Sequence, residues 1–123
     1  MKNPVRNLIA ISAPDPESAA AARAAVLALA RAKDPEGAAE VGDRIAFTID
    51  WEPAFKDLKE ISAKFPAVTF TLYGDAFAKS HWVSKAVYQG GKLGADATLS
   101  RIDGESFRQL YKEIFAEEFP VHR

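Results

Sequence analysis

Residues 44–73 constrain the fold most, because the hydrophobic periodicity changes twice within this segment. Its first seven residues alternate between apolar and polar side chains, as in a half-buried β-strand. After Pro53 the apolar side chains recur at helical spacing, and residues 68–73 alternate again. The segment therefore predicts a strand, a helix with one apolar face, and a second strand.

The composition indicates a single folded domain covering residues 1–123. An apolar fraction of 48% is enough to build a core without metal or disulfide cross-links. The absence of cysteine excludes disulfides, thiol catalysis and cysteine-ligated metal sites. The first residues show neither a signal-peptide pattern nor a long apolar run, so we expect a cytoplasmic protein without a membrane segment.

The charge balance disfavours a general nucleic-acid binder. Sixteen basic and seventeen acidic residues give a net charge of −1, and they are spread along the chain without blocks. Proteins that bind nucleic acid through its phosphates usually carry a clear basic excess.

The flanking segments add further elements. Residues 5–11 are mainly apolar and predict a central strand, and Asp15 is a suitable N-cap for an alanine-rich helix that ends near Lys33. Residues 34–43 are polar and contain glycine, which predicts a loop, with a degenerate edge strand as the alternative. Residues 104–118 carry aromatic and aliphatic side chains at helical spacing.

Residues 81–100 predict a β-hairpin around Gly90 and Gly91. A regular two-residue turn would place Lys85 opposite Asp96. We expect the helix at 104–118 to pack on the apolar face of the hairpin, with a homodimer contact as the alternative. That predicted face comprises Trp82, Ala86, Tyr88, Leu93, Ala95, Ala97 and Leu99.

Together these patterns predict an α+β fold with an antiparallel-rich sheet of about five strands. The predicted helices lie near residues 15–33, 53–64 and 104–118, and the hairpin spans 81–100.

Several short motifs carry a family resemblance. They are Asn7-Leu8, Phe47-Thr48-Ile49-Asp50-Trp51-Glu52-Pro53, Phe65-Pro66 and the strand at 68–73. In their order and spacing they resemble the YubB-type ferredoxin-like domain of plasmid and phage proteins, over residues 5–92. The resemblance implies a ferredoxin-like fold, here with residues 34–43 in place of the second strand and the C-terminal helix as an addition. It also implies a mobile-element origin, without an iron–sulfur cluster and without an established activity.

Catalytic and metal-binding patterns are weak. His81 lies near Asp75 and could share a metal ion with it, whereas His122 lies far away in the sequence. A nucleophile–base pair could draw on Ser80 or Ser84 with His81, but the chain lacks a Gly-x-Ser-x-Gly elbow. We therefore predict no cofactor, no metal and no enzymatic activity.

Binding is the class of function that the sequence favours. The predicted loop at 74–80 presents Phe77. Trp51 lies at a corner after a strand, where we expect it to pack under the following helix, with an exposed interface anchor as the alternative. We expect this chain to bind a protein partner stoichiometrically. The most specific form of this expectation is an anti-CRISPR-like inhibitor of a bacterial defence system. The alternative is a nucleic-acid-binding accessory domain that uses the weak basic edge of the hairpin. The candidate binding residues are Trp51, Asp75, Phe77, Lys79, His81, Lys85 and Lys92.

Overall fold

The computed structural model describes residues 2–115 and confirms the α+β class. The strands are β1 (Pro4–Ser12), β2 (Ala39–Val41), β3 (Arg44–Asp50), β4 (Thr69–Asp75), β5 (Trp82–Gln89) and β6 (Lys92–Ser100). The helices are α1 (Pro16–Lys33), α2 (Phe55–Lys64), the single-turn α3 (Phe77–Ser80) and α4 (Glu105–Phe115), with a 3₁₀ turn (Arg101–Asp103) before α4. The strands form one antiparallel sheet in the order β2-β3-β1-β4-β5-β6.

Helices cover both faces of this sheet. Successive strand residues point to opposite sides, and apolar residues on each side form a separate cluster with the helices that cover them. On one face α1 and α2 pack over a cluster that includes Ile9, Phe47 and Phe70. On the other face α4 packs over Leu8 and Val83. Among the described helices, none is long and apolar enough to cross a membrane.

Local sequence signals account for where α1 begins and how closely it packs. The Asp15 carboxylate accepts a hydrogen bond from the Ser18 amide at 2.7 Å, which caps the helix as predicted. Ala22 and Ala30 are fully buried against the sheet, since their small side chains let the helix approach it closely.

The sheet has six strands where about five were predicted, because the edge-strand alternative for residues 34–43 is the correct one. Ala39–Val41 forms β2 and pairs with β3 across a turn in which Gly42 has a positive φ. The predicted loop at 74–80 is also wrong, because β4 runs to Asp75 and Phe77–Ser80 forms α3. The second helix begins at Phe55 instead of 53, and residues 116–118 of the last predicted helix lie outside the described part.

The predicted hairpin register is wrong beyond its first two pairs. Gly94 is an extra residue on β6, so Tyr88 pairs with Leu93 but Val87 pairs with Ala95. This bulge shifts every later pair by one residue.

The shifted register changes which face of the hairpin α4 covers. Lys85 lies opposite Ala97 instead of the predicted Asp96, and Leu99 lies opposite Val83. Val83 and Leu99 pack against α4, whereas Tyr88 belongs to the cluster under α1 and α2. The helix therefore packs on the side opposite to the one expected.

Candidate functional site at one end of the sheet

The strand register gathers several connecting segments at one end of the molecule. Asp50, the last residue of β3, pairs with Pro4 of β1. Asp75, the last residue of β4, pairs with Val83 of β5, next to the point where β6 ends at Ser100. The segments that follow β3, β4 and β6 therefore emerge side by side. We call their outward residues the strand-end surface: Trp51, Phe77, Lys79, His81, Arg101 and Ile102.

Trp51 projects from this surface and has a strained backbone conformation. Its φ is 78°, in the left-handed region that favours glycine, and 66% of the residue is exposed. Its amide donates to the Asn3 carbonyl oxygen at 2.8 Å, and the Asn3 amide donates to the Asp50 carboxylate at 2.8 Å. Two hydrogen bonds to one residue thus hold the corner, while the indole is left largely in solvent.

His81 is the second strained residue of this surface. Its φ is 64°, and its amide caps α3 by donating to the Phe77 carbonyl oxygen at 3.1 Å. The neighbouring Ser80 hydroxyl makes a long contact of 3.5 Å with Asn3 Oδ1, so Asn3 links the two strained segments. In the described part of the chain, Trp51 and His81 are the only non-glycine residues with positive φ.

Phe77 connects the surface to α4. Its ring centroid lies 5.6 Å from that of Phe107 and 5.7 Å from that of Tyr111, and the Arg101 guanidinium lies 5.1 Å above it. The Asp75 carboxylate accepts a hydrogen bond from the Phe77 amide at 3.1 Å, which fixes the start of α3. Phe77 is therefore held by ring contacts with α4 and Arg101 and by the hydrogen bond of its amide to Asp75.

A polar network holds α4 on the sheet. The Glu113 carboxylate accepts hydrogen bonds from the Tyr73 hydroxyl at 2.9 Å and from Lys85 Nζ at 2.8 Å. The buried Arg44 guanidinium donates to the carbonyl oxygens of Glu113 and Ile114 at 2.6 and 2.8 Å, which ties β3 to α4.

The network shifts the ionisation of its members. Burial raises the pKa of Tyr73 to about 12, and the hydrogen bond to Glu113 adds to this shift. Burial alone would raise the pKa of Glu113, but the hydrogen bonds from Lys85 and Tyr73, with the positive charges nearby, hold it below its ordinary value. The carboxylate is therefore stabilised in its charged form.

The structure brings some of the predicted site residues together and separates others. Lys85 bonds to Glu113 beneath α4, and Lys92 lies at the hairpin turn, at the opposite end of β5 and β6. The predicted basic edge is therefore not continuous. The residues that do gather at the strand-end surface or directly beneath it are Trp51, Asp75, Phe77, Lys79 and His81.

The residues considered for catalysis do not form a reactive pair. Among the described residues, neither Ser80 nor Asp75 hydrogen-bonds to the His81 ring, and no three histidine or carboxylate groups could hold a metal together. Ser84 is buried, and within residues 2–115 its hydroxyl has no hydrogen-bond partner.

Sequence reasoning missed Arg101 and Ile102. Ile102 is 93% exposed in the 3₁₀ turn between β6 and α4. The usable signal was a large apolar residue that belongs neither to the alternation of the strand before it nor to the helical stripe after it.

Comparisons of the chain with protein-family models, with curated proteins and with solved structures give no significant match. The resemblance to YubB-type domains therefore stays a prediction, and the strand-end surface is assigned from its geometry.

Proposed function

We propose that this chain is a small cytoplasmic binding protein that acts stoichiometrically on a protein partner through the strand-end surface. The observation that carries the proposal is the pair of strained, exposed residues Trp51 and His81 at the same end of the sheet, linked by Asn3. Each left-handed non-glycine residue costs on the order of 1–3 kcal/mol, and such strain clusters at functional sites. A binding role explains why the strain is kept.

The side chains of this surface suit a protein interface. Trp51 and Ile102 are large, apolar and mostly exposed. The Arg101 guanidinium of the 3₁₀ turn stacks on the Phe77 ring of α3. Tryptophan and arginine are enriched among the residues that dominate binding energy in interfaces. An apolar, partly cationic surface of this kind favours a protein partner.

The topology supports a ferredoxin-like core within the chain. The order β1-α1-β2-β3-α2-β4 places β1 between β3 and β4 in an antiparallel sheet, as in split βαβ folds. The hairpin and α4 then extend this core. The mobile-element origin and the anti-CRISPR-like inhibitor function depend on the family resemblance and remain predictions.

Affinity capture with matched variants tests the proposed function. The wild type should retain a discrete bacterial protein after nuclease treatment and a high-salt wash, and sedimentation of the purified complex should give a fixed stoichiometry. The double variant Trp51→Ala/Ile102→Ala should lose this protein, because it removes the two large, mostly exposed apolar side chains of the strand-end surface. Leu93→Ala, an exposed leucine at the far end of the hairpin, should retain it.

Two outcomes would contradict the proposal. One is equal capture by the wild type and the double variant, which would place the interface elsewhere. The other is loss of every captured protein on nuclease treatment. Sedimentation of the free protein also separates a partner complex from the alternative homodimer.

Nucleic-acid binding is the second candidate, favoured by the stacking of Arg101 on Phe77 beside Lys79. Lys85 is engaged by Glu113 and Lys92 lies at the other end, so the cations form no continuous track. If this candidate is correct, binding to an oligonucleotide should weaken steeply as salt rises.

A further inference from the structure

A groove of about 340 Å³ lies beside the strand-end surface, between α3, the 3₁₀ turn and the first two turns of α4. We call it the α4 groove. This volume is at the small end of the range for ligand-binding pockets, so it suits one large side chain. Three aromatic and three cationic residues line it: Phe77, Phe107, Tyr111, Arg101, Arg108 and Lys112.

The floor of the groove is apolar and already packed. Phe107 is buried, and the Phe77 and Tyr111 rings lie against it and against each other, with centroid separations of 5.6 to 5.7 Å. The Tyr111 ring also contacts Phe115, 4.4 Å away between centroids. A floor held by this many ring contacts needs little reorganisation to accept another apolar group.

The rim of the groove carries an excess of positive charge. Arg108 is bonded to Glu105 at 2.7 and 3.0 Å, and this partner holds the pKa of the Glu105 carboxyl below its ordinary value. Within residues 2–115, neither Arg101 nor Lys112 forms an ion pair with a carboxylate. Among the residues that the structure describes, three cations line the groove, and the Glu105 carboxylate bonds to one of them. This charge around an apolar floor is complementary to an apolar side chain flanked by acids.

We infer that the α4 groove binds an acidic segment of the protein partner, in which one aromatic side chain enters the groove and neighbouring carboxylates meet Arg101 and Lys112. This inference rests on the proposed function, because it takes the partner to be a protein. A nucleic acid would need further cations along its backbone, and Lys85 and Lys92 lie outside the groove.

Three synthetic peptides test the inference directly. The first is N-acetyl-Glu-Asp-Phe-Asp-Glu-amide, the second replaces every acid by its amide, and the third replaces the phenylalanine by alanine. In NMR titrations the first peptide should shift the amide signals of residues that line the groove. It should bind roughly threefold to tenfold more tightly than either of the others, as expected for exposed charge pairs and one buried ring.

Charge-reversal variants locate the contact. Arg101→Glu/Lys112→Glu should weaken binding of the first peptide by about tenfold or more, since both attractions become repulsions. Lys56→Glu/Lys92→Glu makes the same charge change at exposed positions outside the groove and should bind normally. Unchanged amide spectra away from the substitutions show that both variants are folded.

Several results would overturn the inference. They are equal binding of the acidic and the amide peptide, no shift of any groove signal, equal weakening by the control variant, and tighter binding of an oligothymidylate in the groove. The proposed function is separable from it. If capture of the partner depends on Trp51 but not on Arg101 and Lys112, the groove inference fails and the proposed function stands. If the groove binds the peptide but no Trp51-dependent partner is captured, the proposed function fails.

Discussion

The backbone at Trp51 and His81 adopts a conformation that an L-amino acid avoids, and the surrounding hydrogen bonds hold it there. The Asn3 carbonyl accepts from the Trp51 amide, and the Phe77 carbonyl accepts from the His81 amide. Neither side chain is buried. Because the core does not need these side chains, the strain at both positions is a feature that the proposed binding role would explain.

Replacing either residue by glycine should therefore stabilise the free protein. His81→Gly and Trp51→Gly should each raise the free energy of unfolding by about 1 kcal/mol, because glycine adopts a positive φ without steric cost. Lys56→Gly, at an exposed position within α2, should lower it by about 1 kcal/mol. Urea denaturation measures all three, and destabilisation by both strained-site variants would contradict the strain argument.

Among the elements, β6 shows how one residue redirects a strand. The Gly94 bulge moves all later pairs by one position, which turns Leu99 towards α4 and leaves Leu93 48% exposed near the turn. A regular hairpin would have placed both leucines on one apolar face.

Alanine substitutions distinguish the two registers. Leu99→Ala should lower the free energy of unfolding by about 1–2 kcal/mol, because Leu99 packs against the cluster under α4. Leu93→Ala should change it by less than about 0.5 kcal/mol, because half of that residue is already in water. Equal losses in both variants, measured by chemical denaturation, would favour the regular register.

Across the whole molecule, the link between α4 and the sheet depends on buried and half-buried polar groups as well as on apolar packing. Glu113 joins α4 to β4 through Tyr73 and to β5 through Lys85, and Arg44 joins it to β3. This linkage positions the α4 groove relative to the strand-end surface.

The linkage predicts a specific response to acid. The fold lowers the pKa of Glu113 from its ordinary value of 4.5. The ionised Glu113 carboxylate therefore stabilises the folded protein above pH 4.5, and this stabilisation is lost as the pH falls through the lower pKa of the folded state. Glu113→Gln should therefore be less stable than the wild type at about pH 7, and the difference should shrink towards about pH 3.

Denaturation of both proteins across this pH range measures the effect. Glu60→Gln removes an exposed carboxylate of α2 and controls for the loss of one negative charge. A difference between Glu113→Gln and the wild type that stays constant with pH would show that the carboxylate does not stabilise the fold through its charge.

Much of the fold was predictable because its signals are local. The alternation at 44–50, the helix after Pro53 and the cap at Asp15 each depend on neighbouring residues, and each element is found close to its predicted position. Part of the candidate site was predictable for a similar reason, since Trp51 directly follows one predicted strand and Phe77 lies in the predicted loop after another.

The remaining features depend on contacts between distant residues. A positive φ at Trp51 is set by its bond to Asn3, and a bulge at Gly94 is set by how β6 fits against β5. Arg44 is, in the sequence, a charged residue at the start of a predicted strand, for which exposure is the usual expectation. In the structure it is buried and donates to the Ile114 carbonyl oxygen of α4, seventy residues later in the chain.

The sequence by itself determined the α+β class, most of the strands and helices and the apolar faces of the helices, because periodicity, capping and turn residues act over a few positions. Only the tertiary structure decided the strand order, the face on which α4 packs and the meeting of Trp51, Phe77 and His81 at one end. These depend on which strands pair and in which register, and pairing energies are summed over residues that lie far apart in the chain.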